Sequence, residues 1–346
     1  MLEFKRYPPL QKLAEANFIK SEIDRPIQRA VNQSWSTWSG NYLDIMGQSL
    51  DLILTKKERA SLGIIYLDMV PAVLEFNAKT CAVEGGMLIL LPMGIFHLPV
   101  LNAQVYAALS ALTELRKNTY ADWRIRLQTD QALRNFGEKG TLKGLAPEIR
   151  KLIKSSIKAI KDFDKVLRIA VAGMVSNSKF PKTMIDSESW NFSDAVTLVQ
   201  WQFIIGHELG HILAGDCKKK YKQAFSLVPG LPAFQVYQFP QHKEELLADR
   251  WASKSLLRHE EKQRISLPID LLFFLIKCLD ETAYFFDCKF AREKGNPNPP
   301  KSVSTHPTAG QRRKALTKVI GKFDDWMGFE DLFELVSAFQ QREITR

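Results

Sequence analysis

Cysteine and histidine are both scarce in this sequence, with four of the first and six of the second among 346 residues. Cys81, Cys217, Cys278 and Cys288 stand far apart with no C-x-x-C pair, which excludes a disulfide framework and a cysteine-clustered zinc site. The N-terminal MLEFKRYPPL has no apolar run behind its positive charges, so no secretory signal is read there and a reduced, cytoplasmic protein is expected. Uninterrupted apolar runs are lacking too. The longest stretch without Asp, Glu, Lys or Arg, Gly85 to Thr113, is broken by Pro92, Gly94, His97, Pro99, Asn102 and Gln104. It reads as a buried strand followed by a core helix and not as a membrane span. Leu267 to Phe290 carries Asp270, Lys277, Asp280, Glu281 and Asp287, too many charges for an isolated span. Internal repeats, low-complexity tracts, glycine-rich loops and nucleic-acid motifs are also missing.

What is present is an ordinary globular composition. An apolar fraction of 45% supports a sizeable core, enough for one large domain or two of usual size. The formal charge of +10 favours anionic neighbours. Part of it is local: Lys218, Lys219, Lys220 and Lys222 form one cluster, and Lys143, Arg150, Lys151, Lys154, Lys158, Lys161, Lys165 and Arg168 spread over another segment. Both read as the wet faces of helices, with no specific nucleic-acid partner.

Along the chain, Ala72 to Asn77 and Met87 to Leu91 read as two strands joined through Glu84-Gly85-Gly86 into a hairpin. Apolar residues three and four apart predict helices over Leu101 to Arg116, Ala121 to Phe136 and Pro147 to about Ala172. Ser176 to Ser189 reads as a connecting loop. Ser193 with Asp194 marks the expected start of a helix through AVTLVQWQFIIGHELGHILAG, with Gly215 and Asp216 as its stop. Further helices are predicted from about Gln241 to His259, Pro268 to Ala291, Thr308 to Ile320 and Phe329 to Gln340, with Gly295 to Pro300 as a linker. The expected class is α+β, predominantly α-helical, with a small N-terminal strand element. Residues 1–190 form a mixed N-terminal region and 191–346 a helical core.

The chemistry concentrates at His207-Glu208-Leu209-Gly210-His211, an H-E-x-x-H pattern. Two histidines at i and i+4 on a helix project about 40° apart, so both imidazoles reach one ion at about 2.0–2.1 Å. Glu208 beside them is placed to take a proton from a water that zinc has acidified. The apolar flanks, Trp201 to Ile205 and Ile212 to Leu213, make burial of two histidines and a glutamate costly unless a metal satisfies them. A catalytic zinc takes three protein ligands and keeps its fourth position open. In Glu244-Glu245-Leu246-Leu247-Ala248-Asp249, Glu245 and Asp249 share one helical face, with small Ala248 permitting close packing. Glu245 is the expected third ligand and Asp249 the carboxylate orienting a ligand histidine. Glu244 is the rival ligand.

The series H-E-L-G-H, E-L-L-A-D and Ser304-Thr305-His306-Pro307, followed by Arg312 and Arg313, resembles the gluzincin zinc metallopeptidases of the HtpX and CAAX-prenyl type. Within that group it is most similar to the soluble Lit phage-exclusion peptidases, with Leu267 to Phe290 as the long apolar helix between the acidic and T-H-P motifs. The resemblance covers roughly residues 195 to 320. It implies a zincin-like fold and an intracellular zinc endopeptidase acting on a protein substrate, in phage defence and under control of a partner or trigger. It also implies metal ligation by His207, His211 and Glu245, base catalysis by Glu208, and a place near the metal for His306 as donor to the developing oxyanion.

ImmA/IrrE-type regulators also carry H-E-L-G-H, but with Ala-Asn where this chain has Ala248-Asp249, and without the T-H-P element; they rank second. A non-catalytic, zinc-stabilised interaction protein is the alternative of another class, and Glu208, of no use to a closed structural site, argues against it. His97, His242 and His259 read as ordinary core or surface histidines. Tyr284 reads as core packing, with hydrogen bonding into the site as the sharper alternative.

Overall fold

The computed structural model describes residues 4–5, 46–47, 53–70, 78–83, 85–135, 142–172, 185–216, 223–225, 234–236, 242–293, 307–321 and 328–345. Among them the chain is mostly helical with one small mixed sheet, so the α+β, predominantly helical expectation holds at that level. The strands are β1 (Phe4–Lys5), β2 (Ile65–Val70), β3 (Lys79–Val83), β4 (Gly86–Pro92), β5 (Gln223–Phe225) and β6 (Phe234–Val236), in spatial order β1-β2-β4-β3-β6-β5. β1, β2 and β4 run parallel, whereas β3 is antiparallel to both β4 and β6, and β5 is antiparallel to β6.

The hairpin turn falls where Gly85 and Gly86 predicted it, with Gly85 at φ 81°. Its first strand, however, is Lys79–Val83, because a tight turn places Val83 opposite Gly86 and so Thr80 opposite Ile89. Ala72 to Asn77 lies outside the described residues. So do the Lys218–Lys222 cluster, Gly295 to Pro300 and His306.

The helices are α1 (Lys56–Leu62), α2 (Leu98–Thr119), α3 (Trp123–Arg134), α4 (Pro147–Ala172), α5 (Ser187–Leu213), α6 (His242–Leu256), α7 (Lys262–Glu293), α8 (Ala309–Ile320) and α9 (Phe329–Thr345). α5 begins two turns before the expected Ser193. Asp186 caps it, accepting from Ser189 N–H at 2.7 Å, while the Ser193 hydroxyl donates sideways to the Pro99 carbonyl of α2 at 2.6 Å. α7 likewise starts before its expected Pro268. That residue sits in the second turn, where the missing N–H deprives only Arg264 of a helical partner. On α4 the lysines at 151, 154, 158, 161 and 165 are all exposed, the solvated face their spacing implied.

One apolar cluster joins β2 and β4 to α2, α4, α5 and α7, with Ile65, Ile89, Leu101, Val105, Phe163, Phe203, Phe273 and Leu275 fully enclosed. The charge-free stretch forms β4 and α2, both in this core. No helix is long and apolar enough to cross a membrane among the described residues. A polar seam pins three of the helices. Asn102 Nδ2 donates to Thr197 Oγ1 and Gln200 Oε1, both at 2.8 Å, and Gln200 Nε2 donates to the Pro268 carbonyl at 3.1 Å. Buried amides are tolerated when satisfied in this way, and the seam fixes the register of α5 against α2 and α7.

Candidate metal centre

The second half of α5 carries His207, Glu208 and His211, all buried. What brings acidic groups to them is the close approach of α6. A Cβ on Gly206 would stand 3.3 Å from Ala252 Cβ, and one on Gly210 only 3.0 Å from Ala248 Cα. Two glycines on one helix face two alanines on the other, so the helix backbones meet almost without intervening side chains. Glu245 and Asp249, one turn apart on α6, are thereby set against the two imidazoles.

His207 Nε2 lies 3.3 Å from Glu245 Oε2, His211 Nε2 lies 3.5 Å from Glu245 Oε1, and the two Nε2 atoms are 3.1 Å apart. These ligand atoms all fall within 4.8 Å of one another. The opposite nitrogens are each held by a carboxylate. Asp249 Oδ1 is 2.8 Å from His207 Nδ1, and Asp216 Oδ2 is 3.0 Å from His211 Nδ1. Arg312 from α8 grips Asp249 through both oxygens, Nε to Oδ2 at 2.8 Å and Nη2 to Oδ1 at 2.5 Å, with its guanidinium 5.2 Å from the Phe273 ring centroid. Burial favours a neutral Asp249, but the charge and hydrogen bonds of Arg312 prevail and hold its pKa below the usual carboxylate range. Asp249 is therefore an acceptor, and the proton of the shared hydrogen bond sits on His207 Nδ1.

That proton assignment decides what the cluster suits. With Nδ1–H of His207 donated to Asp249 and a second carboxylate, Asp216, set at His211 Nδ1, the two Nε2 atoms and the Glu245 carboxylate converge on one point as three potential electron-pair donors. Such a convergence is repulsive unless a cation lies among them. The charge count agrees: Glu208, Asp216, Glu245 and Asp249 are at most 5% exposed, and Arg312 is the buried cation among them. Burial alone would push His207 down, yet Asp249 and Glu245 raise it to about 10, so without a metal Nε2 holds a proton toward Glu245, and a bound metal ion would take that proton's place. Two imidazoles and one carboxylate form an N/O donor set that fits a divalent transition-metal ion, zinc among them.

Glu208 stands next to this trio. Its Oε2 accepts the Thr80 hydroxyl of β3 at 2.5 Å. Cys81, beside Thr80, is no rival nucleophile, because burial and then the charge of Glu208 push its thiol up to about 12.

Of the residues singled out in the sequence, His207, His211 and Glu245 come together, Asp249 touches His207, and Glu208, the residue after His207 on α5, is held by Thr80. Glu244, the rival ligand, is only half-buried, one residue round the helix from Glu245. His242 and His259 are exposed, and His97 precedes α2 with its pKa lowered by burial. Tyr284 is hydrogen-bonded to Cys288 on its own helix. Three participants carried no role in the sequence reading. Asp216 registered only as a helix stop and Arg312 only as the tail of a motif, while Thr80 had no local signal, being 128 residues from its partner.

Comparison with known protein families, with curated proteins and with solved structures finds no match for this chain.

Proposed function

We propose that this chain is a zinc-dependent endopeptidase of gluzincin type and zincin-like fold, with His207, His211 and Glu245 as metal ligands and Glu208 as general base. The carrying observation is the convergence of three lone-pair donors beside a buried carboxylate that belongs to none of the ligand contacts. A structural zinc site has no use for that fourth group, whereas hydrolysis requires it.

When bound, zinc supplies Lewis acidity, bringing a water's pKa toward about 7 and polarising a carbonyl. The chain's own residues do the rest. Asp249 orients the His207 imidazole. Thr80 fixes Oε2 of Glu208, leaving Oε1 to hold the water's proton and pass it to the departing amine nitrogen. The Ser304-Thr305-His306-Pro307 segment precedes α8, whose Arg312 already reaches the site, and this supports the oxyanion-donor role for His306. The reading extends to a cytoplasmic enzyme with a protein substrate and a phage-exclusion role. Near-complete burial of Glu208 and the ligand trio suits activation by a partner or trigger.

The test compares zinc content and new protein termini in cells expressing the chain or its Glu208→Gln variant. About one zinc per chain in both, with new termini only in the first, is the expected result. Equal termini in both would remove the base role, and absence of zinc from the purified chain would remove the reading altogether.

A further inference from the structure

The turn after α5 carries a residue that the motif-based reading leaves without a role. Gly215 adopts φ 73°, a left-handed conformation that closes the helix, and nothing lies within 4 Å of where its Cβ would be. Glycine is needed there for its backbone and not for space. The reversal turns the next residue, Asp216, back under the last turn of α5, where its carboxylate is buried and reaches His211 Nδ1 at 3.0 Å. Five residues of sequence separation would not achieve this on a continuing helix, since i and i+5 lie about 140° apart.

We infer that Asp216 is a positioning residue of the metal centre, holding His211 in the tautomer and ring orientation that present Nε2 to the ion. The inference rests on the proposed metal site and adds to it a second carboxylate–histidine pair, built differently from the first. Asp249 is braced by Arg312 from α8 across two helices, whereas Asp216 is placed by the local turn of the helix that bears the ligands. Removal of Asp249 strands a buried arginine and threatens the fold; removal of Asp216 acts on His211 directly. Gly215-Asp216 therefore belongs to the same unit as the H-E-x-x-H residues.

The experiment measures zinc affinity of the full chain by competition with a chromophoric chelator, together with the melting temperature of the metal-free protein and the visible spectrum of the cobalt-loaded form. Asp216→Ala should weaken zinc binding by about 10–100-fold and alter the cobalt bands, with little change in metal-free melting. Asp216→Asn, whose amide oxygen still accepts from Nδ1–H, should lose less, and it serves in place of Asp216→Ala should the latter fail to fold. Zinc affinity and cobalt spectrum unchanged from the parent in a folded variant overturn the inference while leaving the metal site standing, as does a fall in metal-free melting alone. A parent chain that binds no zinc overturns both.

Discussion

Gly210→Ala isolates the device that brings the acidic helix to the histidines. In an isolated helix the change is favourable by about 1 kcal/mol, since alanine restricts the unfolded chain and glycine does not. Here the new methyl would lie 3.0 Å from Ala248 Cα, 3.3 Å from its carbonyl oxygen and 3.4 Å from its Cβ. Two of those three atoms are backbone, so no rotamer change relieves the contact, and α6 must move away by several tenths of an ångström. Overpacking of this kind costs about 1–3 kcal/mol, and the rigid obstacle places the cost in the upper part of that range, leaving a net loss of about 1–2 kcal/mol. Gly206→Ala is the control, because its nearest atom is the Ala252 Cβ at 3.3 Å, and a smaller displacement against the same helical gain leaves it near neutral.

Urea unfolding with an unchanged m-value measures both variants. Second-site changes separate the causes. Measured against the roughly 1 kcal/mol that each alanine-to-glycine change costs in a helix by itself, Ala252→Gly should recover the contact cost of Gly206→Ala, whereas Ala248→Gly should not recover that of Gly210→Ala, since the Cα and carbonyl remain. Zinc affinity should fall with Gly210→Ala, as Glu245 and Asp249 are carried away from the imidazoles. A Gly210→Ala protein as stable as the parent, or one rescued by Ala248→Gly, would refute the close-approach argument.

Arg312→Met removes one partner of a buried pair and leaves Asp249 uncompensated, a loss of about 3–5 kcal/mol by urea unfolding. Lys277→Met, in a half-exposed pair with Glu330, should lose no more than about 1 kcal/mol. Zinc at 100 times its dissociation constant should stabilise the chain by about 2.7 kcal/mol in thermal or urea unfolding, and His207→Ala, His211→Ala or Glu245→Ala should remove that dependence. Glu58 ties α1 to the end of α6 through two hydrogen bonds from Arg258, and these hold its pKa near 2 against an ordinary 4.5. Because the folded value is depressed, the pair's contribution, about 1 kcal/mol or less for so exposed a site, is present above pH 4.5 and lost as pH falls through 2. The stability gap between the parent and Glu58→Gln should close across that interval.

Local pattern was enough for the elements whose own residues set them. The i, i+4 histidines, the apolar periodicity of α2, α4 and α7 and the glycine turn before β4 all appear in the sequence as they do in the fold. The start of α5 lies away from its expected place because a polar side chain serves a distant partner. Ser193 resembles a cap, yet its hydroxyl is spent on Pro99, 94 residues away, and the true cap is Asp186. The partners of the candidate site divide in the same way. Glu245 and Asp249 announce themselves through their mutual spacing, but Thr80 acquires meaning only when β3 is laid beside α5, and Arg312 only when α8 is laid beside α6. Asp216 was within reach of local reasoning, since a left-handed glycine directs the following side chain back toward the helix end.

The distribution of buried charge explains why these scattered residues must act together. Four enclosed carboxylates against one enclosed arginine amount to an excess of three negative charges, which the proton held by metal-free His207 lowers only to two. At the short distances found here, such an excess would oppose the close packing of α5 on α6 that the glycine–alanine contacts create. A divalent ion among His207, His211 and Glu245 reduces the excess to one, which then resides on Glu208, the carboxylate outside the ligand set. A residual negative charge on a group hydrogen-bonded by Thr80 and adjacent to a dication is the electrostatic arrangement a general base requires. It also orders the consequences of substitution. Neutralising Glu208 removes the remaining charge and leaves the metal in place, whereas neutralising Glu245 removes a ligand along with its charge. Glu208→Gln should therefore match or exceed the parent in stability at saturating zinc, and a clear loss of zinc-loaded stability in that variant would mean that Glu208 is needed to hold the cation.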